Sequence, residues 1–409
     1  RRPNMGGPLR FGSPANAGAN VLEPYRYRLI ALPASPKTQM RRTDPSGTIS
    51  LLLPDLRGGG VERVRILLAQ EFLARGYKVD FVLLRCQGDL VGSVPRGARV
   101  MDLGVHRLRY LPKPLIAYLR KERPRALLAA MWPVTSLAAI SCYLAGSQTR
   151  VVISEHTTLS RAYATYGRLY LLGMKFCLAA TYRLADERVG VSAGVVADLA
   201  RLAAMAPERF KIIHNPVYLS QDQPILEEAE RVWGTSGGKR ILTVSNLKPA
   251  KNHALLIRAF ARLLRSIDAT LMLIGDGPLR EELKRLARAE GVANRVVMPG
   301  FISDPKPFYL TADLFVLSSQ YEGFGNVIVE ALSCGLPVVS TDCPGGPAEI
   351  LDHGRFGRLV PIDDVDALAN AMAEALTTPT DRELLRQRAA DFSPDKVAEK
   401  YLQLLFPDS

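Results

Sequence analysis

A chain of 409 residues is long for one compact domain, so its length sets an expectation of two α/β domains. Its 47% hydrophobic fraction supports real cores, while five widely spaced cysteines (Cys86, Cys142, Cys177, Cys334 and Cys343) argue against a disulfide framework or zinc site and fit a reducing compartment. The net charge of +13 favours anionic partners, but no nucleic-acid-binding module accompanies it, so no nucleic acid is expected among them.

Residues 1–46 are rich in Pro, Gly, Asn and Arg and lack both periodicity and the apolar core of a secretory signal; they are expected to form a disordered basic extension outside the fold. The folded part opens with an apolar strand at 48–53, a turn at 54–60 and an amphipathic helix carrying Val61, Val64, Leu68 and Phe72 on one face. Further strands are predicted at 78–84, 99–103, 125–130, 150–154, 187–191 and 210–213, alternating with helical patterns, which implies a doubly wound parallel sheet over 47–216. The uncharged stretch 126–149 contains Pro133 and several Ser and Thr, and parses better as a strand, a turn and a packed helix than as a membrane span. The polar, acidic stretch 217–239 is the linker candidate. A second series, with strands at 240–245, 270–274, 295–298, 314–317, 337–340 and 357–360, fills 240–393. The tail 394–409 is helical, with a return to the first domain in view.

Ligands of such sheets bind beyond the carboxyl ends of the strands, so four turns hold the candidate chemistry. In PDLRGGGVERV, Gly58, Gly59 and Gly60 precede a helix whose free N–H groups suit a phosphate, though glycine geometry alone also accounts for a tight turn. In VVISEHTTL a buried strand delivers Glu155 and His156; the histidine fits a donor to a sugar hydroxyl or a side chain that ties down a loop. In ILTVSNLKPAKNH, Lys248 and Lys251 precede a helix capped by Asn252, an arrangement suited to a diphosphate or to a solvated basic turn. The most specific turn is SSQYEGFGNVIVEALSCGLPVVSTD. There Glu322 precedes Gly323, Phe324 and Gly325, and Glu330 follows on a helix among apolar neighbours, where a carboxylate is costly without a partner such as a ribose diol.

In series these motifs, together with ADERVGVSAGVVADL, IGDGP and PGFISD, resemble glycosyltransferase family 4 over residues 48–406, most strongly over 241–350. The resemblance implies the GT-B fold, two Rossmann-like doubly wound parallel-sheet domains facing across a central cleft, with acceptor binding in the first and nucleotide-sugar binding in the second. It implies catalytic roles for His156, at the transferred sugar, and Glu322, at the sugar hydroxyls. Donor contacts fall to Gly59, Gly60, Asn246, Lys251, Ile302, Gly323, Phe324, Gly325, Asn326 and Glu330, with Lys251 on the diphosphate, Glu330 on the ribose and Ile302 near the base. Asn246 stands where the family usually has an arginine, so one cationic contact is missing or comes from elsewhere, with Lys248 a candidate.

The implied reaction is transfer of a hexose or N-acetylhexosamine with retention, by front-face displacement, from a nucleotide-sugar (UDP-sugar preferred) to an acceptor hydroxyl on a lipid-linked or glycan precursor. No metal and no cofactor are expected, since lysine and helix N-termini can meet the leaving charge. Segment 106–125 mixes cations with Leu, Ile and Tyr and fits either a solvated basic face or docking on an anionic membrane; a cytoplasmic protein, peripheral at the membrane's inner face, is the expectation. A nucleotide-sugar epimerase of similar build and a non-catalytic sugar-nucleotide-binding protein are the alternatives.

Overall fold

The computed structural model describes residues 28–30, 47–217, 226–234 and 237–407. The first sheet contains β1 (Arg28–Ile30), β2 (Thr48–Leu53), β3 (Lys78–Leu83), β4 (Arg99–Asp102), β5 (Ala126–Ala130), β6 (Arg150–Glu155), β7 (Glu187–Gly190) and β8 (Lys211–Ile212). Their order is β1-β4-β3-β2-β5-β6-β7-β8. The second contains β9 (Lys239–Val244), β10 (Ala269–Ile274), β11 (Val296–Gly300), β12 (Leu314–Leu317), β13 (Val338–Thr341) and β14 (Arg358–Val360), ordered β11-β10-β9-β12-β13-β14. Apart from β1, every pairing is parallel. Strand order reverses between β2 and β5 in one sheet and between β9 and β12 in the other, which opens a crevice at each reversal.

The central strands are apolar on both faces because helices cover both, and every residue of β5 is buried. The polar exceptions are satisfied in place. Asp80 on β3 is held by two Arg99 nitrogens at 2.7 and 2.6 Å and by the Tyr118 hydroxyl at 2.7 Å, and Ser50 Oγ lies 2.7 Å from that hydroxyl. A buried carboxylate with a full set of donors fixes the register of β2, β3 and the helix Pro112–Glu122 together.

Stretch 126–149 is β5, a turn and the helix Val134–Ala145, and no helix among the described residues is long and apolar enough to cross a membrane. Two expectations need correcting. Arg28–Ile30, within the extension expected outside the fold, pairs antiparallel with β4, closing a sheet edge; the rest of 1–46 lies outside the described residues apart from the strand. The stretch taken as a linker contains the helix Glu227–Trp233, because Ala229 and Trp233, one turn apart, bury against the second domain. Trp233 Nε1 donates to Thr311 Oγ1 at 2.9 Å, and Arg240 makes a two-pronged contact with Glu230 at 2.8 and 2.6 Å. In segment 106–125, which fitted either a solvated basic face or membrane docking, Leu115, Tyr118 and Leu119 of the helix Pro112–Glu122 point into the core, while Leu108, Tyr110 and the cations stay outside.

The final helix, Pro394–Leu405, returns to the first domain and lies on the helix Gly60–Ala74. Arg150 Nε caps its Leu404 carbonyl at 2.6 Å, and Phe406 stacks on Tyr77 with ring centroids 5.0 Å apart. Phe406→Ala removes this buried ring and should cost about 3–5 kcal/mol of first-domain stability. An earlier first transition in a urea titration, with the second transition unmoved, is the expected result.

Candidate active site in the interdomain cleft

The loops after β2, β6, β9 and β12 meet in the cleft between the sheets. After β2, Gly58 takes the left-handed conformation at φ 95°, and buried Asp55 accepts from Arg57 and Gln87, pinning the turn. The helix Gly60–Ala74 then starts without a side-chain cap from Gly59, and the Glu62 carboxylate accepts from the main chain at Gly59 and Glu62. Glu62 folds back on Gly59: a Cβ there would lie 2.3 Å from its carboxylate. Burial raises the Glu62 pKa. Gly60 lies opposite Asn326 of the second domain.

After β6, Glu155 turns inward, held by Trp132 N at 3.0 Å, Thr135 Oγ1 at 2.7 Å and Tyr182 OH at 2.6 Å. His156 instead sits in a chain that crosses between domains. Its Nδ1 is 3.0 Å from Asn215 Oδ1, its Nε2 is 3.2 Å from Ser154 Oγ, and Asn215 Nδ2 donates to Asn326 Oδ1 at 3.0 Å. With the Asn215 amide oriented by Asn326, the neutral ring donates from Nδ1 to Asn215 Oδ1, and Nε2 is its unprotonated nitrogen. Beneath it, the wholly buried Arg65 donates to Ser154 Oγ. Burial, and then the Arg65 charge, hold the His156 pKa well below its ordinary value, so the ring is neutral at pH 7.

In the second domain, Lys251 Nζ donates to Glu322 Oε1 at 2.6 Å, and Ser319 Oγ donates to the same oxygen at 2.6 Å. An ammonium has three donors, so one contact to Glu322 leaves two for a phosphate. Asn246 and Lys248 are both exposed at the tip of β9. The Asn252 side chain caps the helix His253–Leu263. The helix Asn326–Ser333 begins after Gly325 at φ 102°, again with no side-chain cap. Phe324 packs its ring on His214 and Phe392, so only its main chain is left for a ligand. Glu330 Oε2 accepts from Tyr309 OH at 2.8 Å; burial raises its pKa, against that hydrogen bond and the Arg63 charge. A cavity of about 710 Å³ runs between the two helices that start at the site, lined among others by Arg63, Gln70, Ser303, Tyr309, Asn326 and Glu330. That size suits a nucleotide-sized ligand. Ile302 lies next to the lining residues Ser303 and Asp304.

The halves touch closely. A Cβ on Gly323 would fall 1.9 Å from the His156 carbonyl oxygen, and one on Gly194 would fall 2.7 Å from Gly345 N. Thr158 Oγ1 and Ser192 Oγ donate to the Glu322 and Gly323 carbonyls at 3.3 and 2.8 Å. Glu349 bridges back to Ala193 N and His214 at 2.7 and 2.9 Å. The structure thus brings His156, Gly60, Lys251, Glu322, Gly323, Asn326 and Glu330 to one cleft. Sequence reasoning missed Asn215, Ser319, Tyr309 and Arg63. Asn215 and Ser319 carry a signal in hindsight, as polar residues at strand tips; Tyr309 and Arg63 look like ordinary helix residues.

Residues 58–221 match the model described as Glycosyltransferase Family 4, and residues 227–392 match Glycosyl transferases group 1. A Campylobacter jejuni N-acetylgalactosamine-N,N'-diacetylbacillosaminyl-diphospho-undecaprenol 4-alpha-N-acetylgalactosaminyltransferase is 33% identical over 276 residues, 65% of this chain and 72% of that protein. The chain belongs to glycosyltransferase family 4. A second C. jejuni transferase, which adds N-acetylgalactosamine to a diphospho-undecaprenol glycan by its name, is 23% identical over 87% of this transferase and 98% of its own length. Among solved structures, Anabaena Alr3699/HepE in complex with UDP and glucose superposes with a TM-score of 0.73 at 22% identity, covering 88% of this chain and 99% of that one. A glycosyltransferase from Rickettsia africae gives 0.72 at 20% identity, covering 89% and 98%. The two parallel-sheet domains are those of the GT-B fold.

Two outcomes follow from this geometry. Gly323→Ala should leave both domains folded, with an unchanged circular dichroism melt, while glycosyl transfer drops at least about tenfold because the loop can no longer lie on the His156 carbonyl. Asn215→Asp places a carboxylate beside His156 Nδ1 and should raise the ring's pKa toward neutrality, so NMR of 13C-labelled histidine should show it titrating at higher pH than in the parent.

Proposed function

We propose that this transferase moves a hexose or N-acetylhexosamine from a UDP-sugar, with retention and without a metal ion or cofactor, to a hydroxyl of a lipid-linked or glycan-precursor acceptor at the inner face of the cytoplasmic membrane. The observation that carries the reading is that Lys251 pairs with Glu322 just ahead of the uncapped start of the helix Asn326–Ser333, whose Asn326 and Glu330 line the cavity. The C. jejuni relatives, named for transfer onto diphospho-undecaprenol glycans, support the acceptor class, and HepE, solved with UDP and glucose, supports the donor class.

Glu330, already oriented by Tyr309, accepts from the ribose diol. The diphosphate lies across the helix start and takes the two remaining Lys251 donors. Arg63, on the cavity wall opposite, supplies the cation that Asn246 does not. Glu322 and the main chain of 323–325 hold sugar hydroxyls, and neutral His156 bounds the reacting face without adding positive charge beside the developing oxocarbenium. The bond from C1 to the diphosphate oxygen breaks as the acceptor oxygen bonds C1 from the same side, and the acceptor proton passes to the departing diphosphate. Pre-placed charge on that diphosphate is the main catalytic contribution, and closure excludes water.

The test is nucleotide release from UDP- and GDP-sugars in EDTA, with and without bacterial lipid extract. Acceptor-stimulated UDP release, insensitive to EDTA and reduced at least about 100-fold in Glu322→Gln, is expected. Release that needs added divalent ion would overturn the metal-free reading, and no release from any donor would overturn the transfer itself.

A further inference from the structure

The helix Arg168–Thr181 turns an apolar stripe outward. Leu169, Leu172 and Phe176, at the i, i+3, i+7 spacing of one helical face, are 86%, 64% and 78% exposed, while Met174 and Leu178 on the opposite face are buried. On the neighbouring helix Val134–Ala145, Tyr143 and Leu144 are exposed too. Scattered single apolar residues are normal on a protein surface, but an organised stripe marks an interaction site.

Charge says what covers it. Residues 156–185 contain no Asp or Glu, and Arg161, Arg168 and Lys175 stand exposed among them. Beyond the helix Val134–Ala145 lies the helix Pro112–Glu122, whose Arg120 is exposed and ties the two together by donating to the Leu144 and Ala145 carbonyls. An apolar stripe with Arg161, Arg168 and Lys175 exposed beside it, and with the carboxylates of the flanking helices, Glu122 and Asp198, already paired to Arg99 and Arg201, complements an anionic lipid surface. It does not complement itself: a twofold contact between copies would set like charges face to face.

Four aromatic rings run from this surface to the turn after β5, beside the end of β6. Tyr170, on the same helix, contacts Tyr166 and Tyr163 with centroids 4.9 and 5.8 Å apart, and Tyr163 meets Trp132 edge-on at 5.1 Å. Trp132 is anchored at the tip of β6, its N–H donated to Glu155, the residue before His156. Rings with a polar tip suit both the headgroup level of a bilayer and the flat faces of sugars.

We infer that the helix Arg168–Thr181 seats the first domain on an anionic bilayer, and that the Trp132–Tyr163–Tyr166–Tyr170 cluster is the wall along which the headgroup sugar of a lipid-linked acceptor reaches His156. This rests on the acceptor class proposed above. It also moves the main membrane contact from segment 106–125, whose helix turns Leu115, Tyr118 and Leu119 inward and leaves only Leu108 and Tyr110 exposed ahead of it, to a helix with a continuous outward apolar stripe.

The experiment is co-sedimentation of the full chain with phosphatidylcholine vesicles, with and without phosphatidylglycerol, beside light scattering and UDP binding by calorimetry. The parent should sediment with phosphatidylglycerol vesicles and far less with phosphatidylcholine alone. The triple variant Leu169→Ser, Leu172→Ser, Phe176→Ser should lose sedimentation yet bind UDP as before, which shows that it folds. Glutamine at Arg161, Arg168 or Lys175 should weaken vesicle binding about fivefold each. Tyr170→Ala should raise KM for a membrane-presented acceptor while sparing a short water-soluble one and vesicle binding. A parent that ignores both vesicles, a triple variant that sediments like the parent, or a parent dimer dissolved by the triple substitution without vesicle binding would overturn the inference. Vesicle binding without turnover of any acceptor would instead leave the docking surface standing and overturn the transferase reading beneath it.

Discussion

A main-chain contact governs the rest of this structure: the loop after β12 lies directly on the tip of β6, with Gly323 against the His156 carbonyl. Only a residue without a Cβ permits that approach, and Gly194 against Gly345 repeats the device at a second point. Because the two domains touch at these points, Glu322 and His156, at the ends of strands in different sheets and 166 positions apart in sequence by their numbers, enter one cleft. Hydroxyls of Thr158 and Ser192 then fasten the contact by donating to the carbonyls of Glu322 and Gly323. Cleft geometry is therefore a property of closure, and neither domain holds it alone.

The electrostatics are set largely within each domain. Three groups facing the cleft already have orienting partners from their own domain: Lys251 with Glu322, which Ser319 also meets, Glu330 with Tyr309, and His156 with Asn215 and Ser154. Groups held this way need little rearrangement when charge develops on a leaving diphosphate, which is where preorganised sites gain most. Arg65 is the exception. Its Nη2 donates to Ser154 and its guanidinium faces the Tyr401 ring at 5.6 Å, but its Nε and Nη1 have no hydrogen-bond partner among the described residues. A buried cation so sparsely partnered is destabilising in isolation. Its compensation is visible at His156, which the Arg65 charge helps keep neutral, and in the C-terminal helix, whose return to the first domain supplies Tyr401.

What the sequence made legible follows from how local each signal is. The buried parallel strands read correctly because burial on both faces produces short continuous apolar runs, and the turns read correctly because glycines and lysines cluster at strand ends. The helix Glu227–Trp233 did not, because seven residues with only Ala229 and Trp233 apolar resemble a polar connector until a second surface is present to bury them. Tyr309 is harder still, since its place in the site depends on a hydrogen bond to a residue 21 positions away on another helix. Segment 106–125 and the helix Arg168–Thr181 show the same limit from the other side. Both mix cations with large apolar residues, and only the three-dimensional packing tells which set of apolar side chains is spent on the core.

The replacement of the expected arginine by Asn246 finds its physical setting in the same closed cleft. Asn246 is exposed at the tip of β9, and Lys248 beside it is exposed as well, so neither is oriented by a buried partner toward the diphosphate position. Arg63 occupies the opposite wall, one helical turn from Gly60, in the cavity that Glu330 lines and near enough to Glu330 for its charge to be felt there. A cation supplied by the second domain would bind the donor whether the cleft is open or closed. One supplied by the first domain reaches the donor only on closure, and its attraction for the bound anion then favours the closed state itself. Exchanging a cation on β9 for one on the helix Gly60–Ala74 would thus spend less binding energy on the open complex and more on the arrangement in which His156, Glu322 and the acceptor meet.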